Sequence, residues 1–301
     1  MKPRLWLRLF VLVCLLAFSG NPASASNDRS LQLHDTLTGR PVTTVIVNET
    51  ESLALIDTAA TIALIESDLL AFSPEDEVQD EQARILGLGG RRDYPIANLS
   101  RLRAGSEDWT NLRVAVNAEK EFPVRTSVLP ISIFDARVID FDFLQGRLHL
   151  YDTRPKRVRR GAGSALKYQD INGLLFLPIQ INGAKGLALI DTGADLSFVN
   201  PAFADRARAK RDDHKTKIMR GSDLASNRAS IYDFKRLRLG RHSVDRLTLL
   251  VVATDLFADL GFEETPMMVI GMDLLSNFRM QIDRQTQRVT LVHVPTRSRK
   301  E

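Results

Sequence analysis

The chain is poor in the residues that build most hydrolytic and redox centres. Cysteine occurs once in 301 residues, as Cys14. It lies in a segment read below as a removable leader, so the mature protein is expected to hold no disulfide, no thiol nucleophile and no Cys-ligated metal. The histidines His34, His149, His214, His242 and His293 show no i, i+4 pair and no other close ligand spacing. That spacing argues against a metal-dependent hydrolase and leaves each histidine to a surface or a strand. A Gly-x-Ser-x-Gly elbow is missing, and with it the support for a serine hydrolase. No cofactor and no metal are expected.

Long apolar runs are also lacking. The stretch Leu9 to Phe18 follows Lys2, Arg4 and Arg8 and precedes Pro22-Ala23-Ser24-Ala25. It is shorter than the about 18 residues of a membrane span, and the small residues after it form a cleavage pattern. The reading is a secretory signal at residues 1–25, cut after Ala25, with a periplasmic or secreted product and no stable membrane insertion after cleavage. Lipidation at Cys14 is disfavoured because Val13 is bulky where a small residue is needed. Losing the leader leaves 38 basic against 37 acidic residues. No charge excess then points to nucleic acid as a partner.

Against these absences stands one duplication. Leu53-Ala54-Leu55-Ile56-Asp57-Thr58-Ala59-Ala60 returns 134 residues later as Leu187-Ala188-Leu189-Ile190-Asp191-Thr192-Gly193-Ala194, differing only at Ala59 against Gly193. Each copy reads as a strand buried on both faces that delivers an aspartate to a tight turn. The repeat extends outward. Val128 to Leu150 matches Val269 to Leu291 without a gap, Leu102 to Gly105 pairs with Leu237 to Gly240, and Gly87 falls opposite Gly221. The offset grows to 141 in the last block, implying about six extra residues in the second copy, placed in Leu256 to Thr265.

Short β-branched or alternating segments dominate, among them Val42 to Val47, Leu112 to Val116, Leu177 to Ile181, Leu247 to Val252 and Val289 to Val294. They predict an all-β protein. Helical pieces are expected at Glu66 to Phe72, Pro201 to Arg208 and Met272 to Phe278. The organisation expected is an N-terminal lobe at 26–153, a basic and Gly-containing linker at 154–165, a C-terminal lobe at 166–295 and a tail at 296–301. Trp109 and the arginines at 206, 208, 211 and 220 are read as packing and solvated surface.

Asp-Thr-Gly-Ala after an apolar strand, followed about 80 residues later by Val269-Ile270-Gly271 and a short helix, resembles the aspartic peptidases of the retroviral and pepsin type. The stretch Ile270-Gly271-Met272-Asp273-Leu274-Leu275 and then Phe278 to Asp283 is especially similar to the retropepsin type. The resemblance covers nearly the whole mature chain. It implies a bilobal acid-protease-like fold of two tandem retropepsin-like barrels, in a bacterial single-chain enzyme that acts as a monomer on a polypeptide substrate. It implies that Asp57 and Asp191 form a catalytic dyad and that Thr58 and Thr192 brace the two loops. Ala59, Gly193, Ala194 and Asp195 would lie against substrate, and Gly87 and Gly221 would sit in flap hairpins. Asp195 could equally cap its turn, and the two glycines could equally serve ordinary hairpins. Tyr94 is nearby but poorly placed for a flap tyrosine.

The chemistry requires such a pair. Two carboxylates about 3 Å apart cannot both ionise, so they share a proton, and the ionised one can take a proton from water while the other donates to a carbonyl. The first copy has drifted around its aspartate. Ala59 replaces glycine, Pro130 stands opposite Gly271, and Ser132 stands opposite Asp273. A positive φ at Ala59 would strain the loop, whereas a negative one would tolerate the methyl group. The alternative to an active peptidase is an inactive relative that binds extended peptides in the same cleft.

Overall fold

A computed structural model of the chain describes residues 29–34, 39–70, 77–87, 90–118, 126–158, 162–220 and 226–294. The first half contributes β1 (Arg29–Gln32), β2 (Val42–Val47), β3 (Thr50–Asp57), β4 (Ala63–Glu66), β5 (Glu77–Gly87) and β6 (Gly90–Ala104). It continues with β7 (Glu107–Asn117), β8 (Ser127–Pro130), β9 (Val138–Asp142) and β10 (Arg147–Tyr151). The second half holds β11 (Gly163–Lys167), β12 (Gln169–Ile171), β13 (Leu174–Ile181), β14 (Ala184–Ile190), β15 (Phe198–Val199) and β16 (Lys210–Arg220). Its remaining strands are β17 (Ser226–Leu239), β18 (His242–Val251), β19 (Met267–Ile270), β20 (Phe278–Asp283) and β21 (Arg288–His293). Helices among the described residues are short: α1 (Pro201–Arg206), α2 (Asp255–Asp259), α3 (Met272–Leu275) and two 3-10 turns. None is long and apolar enough to cross a membrane.

The architecture is all-β and acid-protease-like. In the first half β2-β3-β8-β4-β7-β6 closes on itself through the β2–β6 pairing, and β5 extends from β6 as a hairpin arm. In the second half β13-β14-β19-β15-β18-β17 closes through β13–β17, with β16 as the matching arm. Closure leaves no free edge within each ring. β8 and β19 are buried along their whole length, which is why they read as continuous apolar runs instead of alternating ones.

The strand register reproduces the duplication independently. Ile56 pairs in parallel with Leu129, and Ile190 with Ile270. Leu64 pairs with Ala115, and Phe198 with Leu250. The offset is therefore still 135 at Leu250 and has become 141 at Ile270. The six additional residues lie between β18 and β19, where α2 forms.

A third sheet joins the halves in the order β1-β10-β9-β20-β21-β11. At its middle, β9 and β20 run antiparallel, with Phe141 opposite Met280 and Asp140 opposite Gln281. Asp140 is fully buried there. Its carboxylate accepts two hydrogen bonds from Arg279, at 2.9 and 2.8 Å, and further ones from Gln281 Nε2 at 3.1 Å and the Tyr151 hydroxyl at 3.2 Å. Arg137 donates twice to Asp283 at 3.1 Å on the same seam. Charges buried this deeply are tolerated only when paired and saturated with hydrogen bonds.

Two expectations need correction. Glu66 belongs to β4, and Ser67–Leu69 is one 3-10 turn without a side-chain cap, whereas α1 has Asn200 accepting from the Phe203 N–H and Pro201 opening its first turn. Phe72 lies outside the described residues. The stretch expected as linker up to Ala165 is strand from Gly163 onward, because Ser164 is buried and accepts from the Arg241 N–H while Gly163 and Ala165 pair with Val292 and Thr290. The other two helices form as α1 and α3, both ending a few residues early, and Phe278 already opens β20. The leader and the tail from residue 295 lie outside the described residues.

Candidate active site

Each parallel strand pair ends at an aspartate. β3 delivers Asp57 beside Pro130 of β8, and β14 delivers Ile190 beside Ile270, with the Asp191 N–H donating to the Ile270 carbonyl at 3.0 Å. Beyond the strands the loops turn back so that their N–H groups face the carboxylates. Ala59 N donates to Asp57 Oδ1 at 2.7 Å, while Gly193 N and Ala194 N donate to Asp191 Oδ1 at 2.8 and 2.9 Å.

The threonines lock the two loops together. Thr58 Oγ1 donates to the Ile190 carbonyl at 2.8 Å and accepts from Thr192 N at 3.0 Å. Thr192 Oγ1 donates to the Ile56 carbonyl at 2.7 Å and accepts from Thr58 N at 3.1 Å. Both side chains have zero exposure, so water offers no substitute partner, and each hydroxyl is saturated by the opposite half. A serine or threonine is needed at both positions because only a hydroxyl donates and accepts from one atom.

Gly193 lies where the two loops crowd together. A β-carbon there would stand 2.6 Å from Asp57 Oδ2 and 3.2 Å from Asp191 Oδ1, so the two carboxyl groups crowd the same side of one glycine. Neither Gly193 nor Ala59 has a positive φ. Glycine is required at 193 for space and not for backbone freedom, and the methyl of Ala59 brings no backbone strain. That methyl packs instead on the apolar cluster of Leu174, Phe176 and Leu189.

The electrostatics follow from this crowding. Burial holds both carboxyls above the ordinary range, and the neighbouring charge of Asp57 adds to the effect on Asp191, which is pushed up to about 8. Opposing this on Asp57 are the N–H groups of Ala59, Ala60 and Gly193, and on Asp191 those of Gly193 and Ala194. The Gly193 N–H thus serves both groups. Arg40, just before β2, lowers both carboxyls by its charge, and its guanidinium pairs with Asp195 at 2.9 Å.

The second loop rests on a relay behind it. Gly271 N donates to Ser197 Oγ at 3.0 Å, and Ser197 Oγ and N donate to Asp273 Oδ1 at 2.6 and 2.9 Å. A β-carbon at 271 would meet Ala194 O and Leu196 C at 2.8 Å. In the first half all three positions differ together. Pro130 has no N–H to donate, Ala63 has no hydroxyl to receive one, and Ser132 replaces the carboxylate that would orient that hydroxyl. The drift is a coordinated removal of one hydrogen-bond chain, in which donor, relay and acceptor are lost together.

Of the residues expected at the site, Asp57, Thr58, Ala59, Asp191, Thr192, Gly193, Ala194 and Asp195 are brought together. Asp195 pairs with Arg40. Gly87 lies at the end of β5, paired with Gly90, and Gly221 lies outside the described residues. Tyr94 is buried in the cluster of Leu64, Ala115 and Val128, against which Ala60 and Ile62 pack. Arg40 and the pair Ser197 and Asp273 were not anticipated. The concerted mismatch of Ala63 and Ser132 was a readable signal for the pair, while Arg40 carried none. Among the described residues, no group of three or more His, Cys, Asp or Glu side chains could hold a metal ion.

Residues 177–274 match the family described as Aspartyl protease. The matched segment includes Asp191, Thr192 and Gly193 and the relay behind them. No curated protein matches the chain.

Proposed function

We propose that the chain is an aspartic endopeptidase, with Asp57 and Asp191 as its catalytic dyad. The observation that carries this reading is the mutual Thr58–Thr192 brace, which fixes two crowded carboxyl groups from the two halves against one glycine. One carboxyl holds the shared proton and donates to the scissile carbonyl, while its ionised partner takes a proton from the attacking water. The tetrahedral intermediate then collapses as the proton passes to the leaving amine, without a covalent enzyme intermediate. The substrate is an extended polypeptide lying between the halves, the enzyme is a monomer with an internal pseudo-dimer, and a leader cut after Ala25 sends it to the periplasm or outside the cell.

The competing view, a peptide-binding protein without activity, drew on Ala59 and Pro130. Ala59 lies outside the positive-φ region, and Pro130 goes with the matched loss of the hydroxyl and carboxylate that its N–H would have needed. Purified protein lacking residues 1–25 should cleave members of a peptide library, with turnover blocked by pepstatin and abolished by Asp191→Asn. Binding without cleavage from acidic to slightly alkaline pH would instead assign the cleft to the inactive relative.

A further inference from the structure

The β5–β6 hairpin touches both halves. Two to four pairs from its turn, Ala83, Ile85 and Tyr94 share an apolar cluster with Ala60 and Ile62, the residues that leave the Asp57 loop. At the start of β6, Arg91 Nη2 lies 2.9 Å from Asp259 of α2 in the second half. Gly90 comes so near the same helix that a β-carbon on it would meet Asp255 Oδ2 at 3.3 Å, and its φ of +116° is open to glycine alone. Helix α2 is itself rooted beside the site, since Leu256 and Leu260 pack on the same apolar cluster as Ala59 and Ala194. The outer half of the hairpin therefore lies against the residues leaving one active loop and against a helix seated beside the other.

The helix owes its existence to the six residues that the second half has and the first lacks. Its two faces serve different ends: leucines toward the apolar cluster, carboxylates toward the hairpin. We propose that α2 is a clasp, in which Asp259 pairs with Arg91 to hold the β5–β6 hairpin across the cleft over Asp57 and Asp191, so that a peptide reaches the dyad only when this pair opens. The proposal rests on the peptidase reading for the identity of the visitor, but the clasp itself is a property of the resting protein. Arg91 is more than half exposed and Asp259 about one-fifth. A pair of this exposure is weak and strongly screened by salt, which suits a contact that must open repeatedly.

Hydrogen exchange on the leaderless full-length protein tests the clasp without requiring activity. Amides of residues 83–94 should exchange several-fold faster in Asp259→Asn and in Arg91→Gln, and return toward the wild-type rate in the charge reversal Arg91→Asp with Asp259→Arg. Raising NaCl to about 1 M, where screening acts within about 3 Å, should loosen the wild-type hairpin and leave the single variants unchanged. Amides of β9 and β20 serve as the reference for an intact fold. Equal hairpin exchange in wild type and Asp259→Asn, or a wild-type hairpin indifferent to salt, overturns the proposal. In peptide cleavage the single variants should show kcat/KM at least doubled at low salt, with the reversal restoring it. A hairpin that loosens as described in a protein that cleaves no peptide would leave the clasp standing and remove the peptidase reading.

Discussion

Gly193 lies against Asp57 so closely that a β-carbon on the glycine would stand 2.6 Å from the carboxylate Oδ2. The equivalent residue of the other loop, Ala59, carries such a carbon and directs it into an apolar cluster. The dyad is therefore asymmetric at its most crowded point, and the two loops should respond to substitution in opposite ways.

Gly193→Ala should displace Asp57 and lower kcat by about 100-fold or more, the effect of misplacing a reacting group by roughly an ångström. Ala59→Gly should keep activity within a few-fold while costing about 0.4–1 kcal/mol of stability through the looser unfolded chain. Peptide hydrolysis and urea unfolding of the two variants check both directions. A Gly193→Ala protein with normal turnover would contradict the geometry.

The threonine brace predicts a chemical distinction. Thr192→Val keeps the shape but leaves the Ile56 carbonyl without its donor and the Thr58 N–H without its acceptor. At about 1–3 kcal/mol for each buried group left unpaired, the loss should be on the order of 2–6 kcal/mol. Thr192→Ser should restore most of it. Denaturant midpoints decide, and a valine variant as stable as the wild type would show the brace to be dispensable.

The dyad should make the protein pH-sensitive in a defined direction. Both carboxyls are held above their ordinary value of 3.8, Asp191 up to about 8. At acid pH, where folded and unfolded chains are both protonated, there is no penalty. As pH rises from about 4 toward 8 the unfolded chain ionises and the folded one resists, so stability falls across this window and levels off above it. Asp191→Asn should flatten the decline of Tm between pH 4 and pH 8. Activity should fade as pH passes 8, when the shared proton is lost. Arg40→Met should move the whole profile toward alkaline pH, because the arginine charge lowers both carboxyls.

Asp140 offers a test of how the halves are joined. Asp140→Ala strips Arg279 of its two bonds and leaves Gln281 Nε2 and Tyr151 without their shared acceptor. Breaking a buried pair from one side costs about 3–5 kcal/mol. Thermal unfolding should show that loss, whereas a charged residue at an exposed site such as Asp108 should change stability by well under about 1 kcal/mol when replaced.

Much of this architecture was legible in the sequence because a gapless repeat fixes register. With Asp57 opposite Asp191, the 141 offset at Val269 places β19 and locates the inserted residues from the sequence alone. The limits were local and physical. Glu66 to Phe72 has an apolar spacing that suits a helix, but it lacks the capping side chain that Asn200 supplies to α1. Ser164 reads as a linker residue because a small polar side chain in a glycine-containing stretch gives no sign that its hydroxyl is buried and accepts from the Arg241 N–H. Arg40 was invisible because its partners lie 17, 151 and 155 positions away, at Asp57, Asp191 and Asp195, and nothing in its neighbours marks it. Tyr94, poorly placed for a flap by its sequence position, lies in the hairpin but is buried in its apolar cluster.

The joining sheet also sets a timetable. β9 finds β10 within a few residues, but its other neighbour, β20, comes some 140 positions later in the chain. A growing polypeptide thus carries Asp57 through the next 134 residues with no opposing carboxylate, and it keeps an open seam along β9 until β20 has been made. The sheet that joins the halves is therefore completed only when nearly the whole chain exists, so the mutual position of the two loops is fixed late.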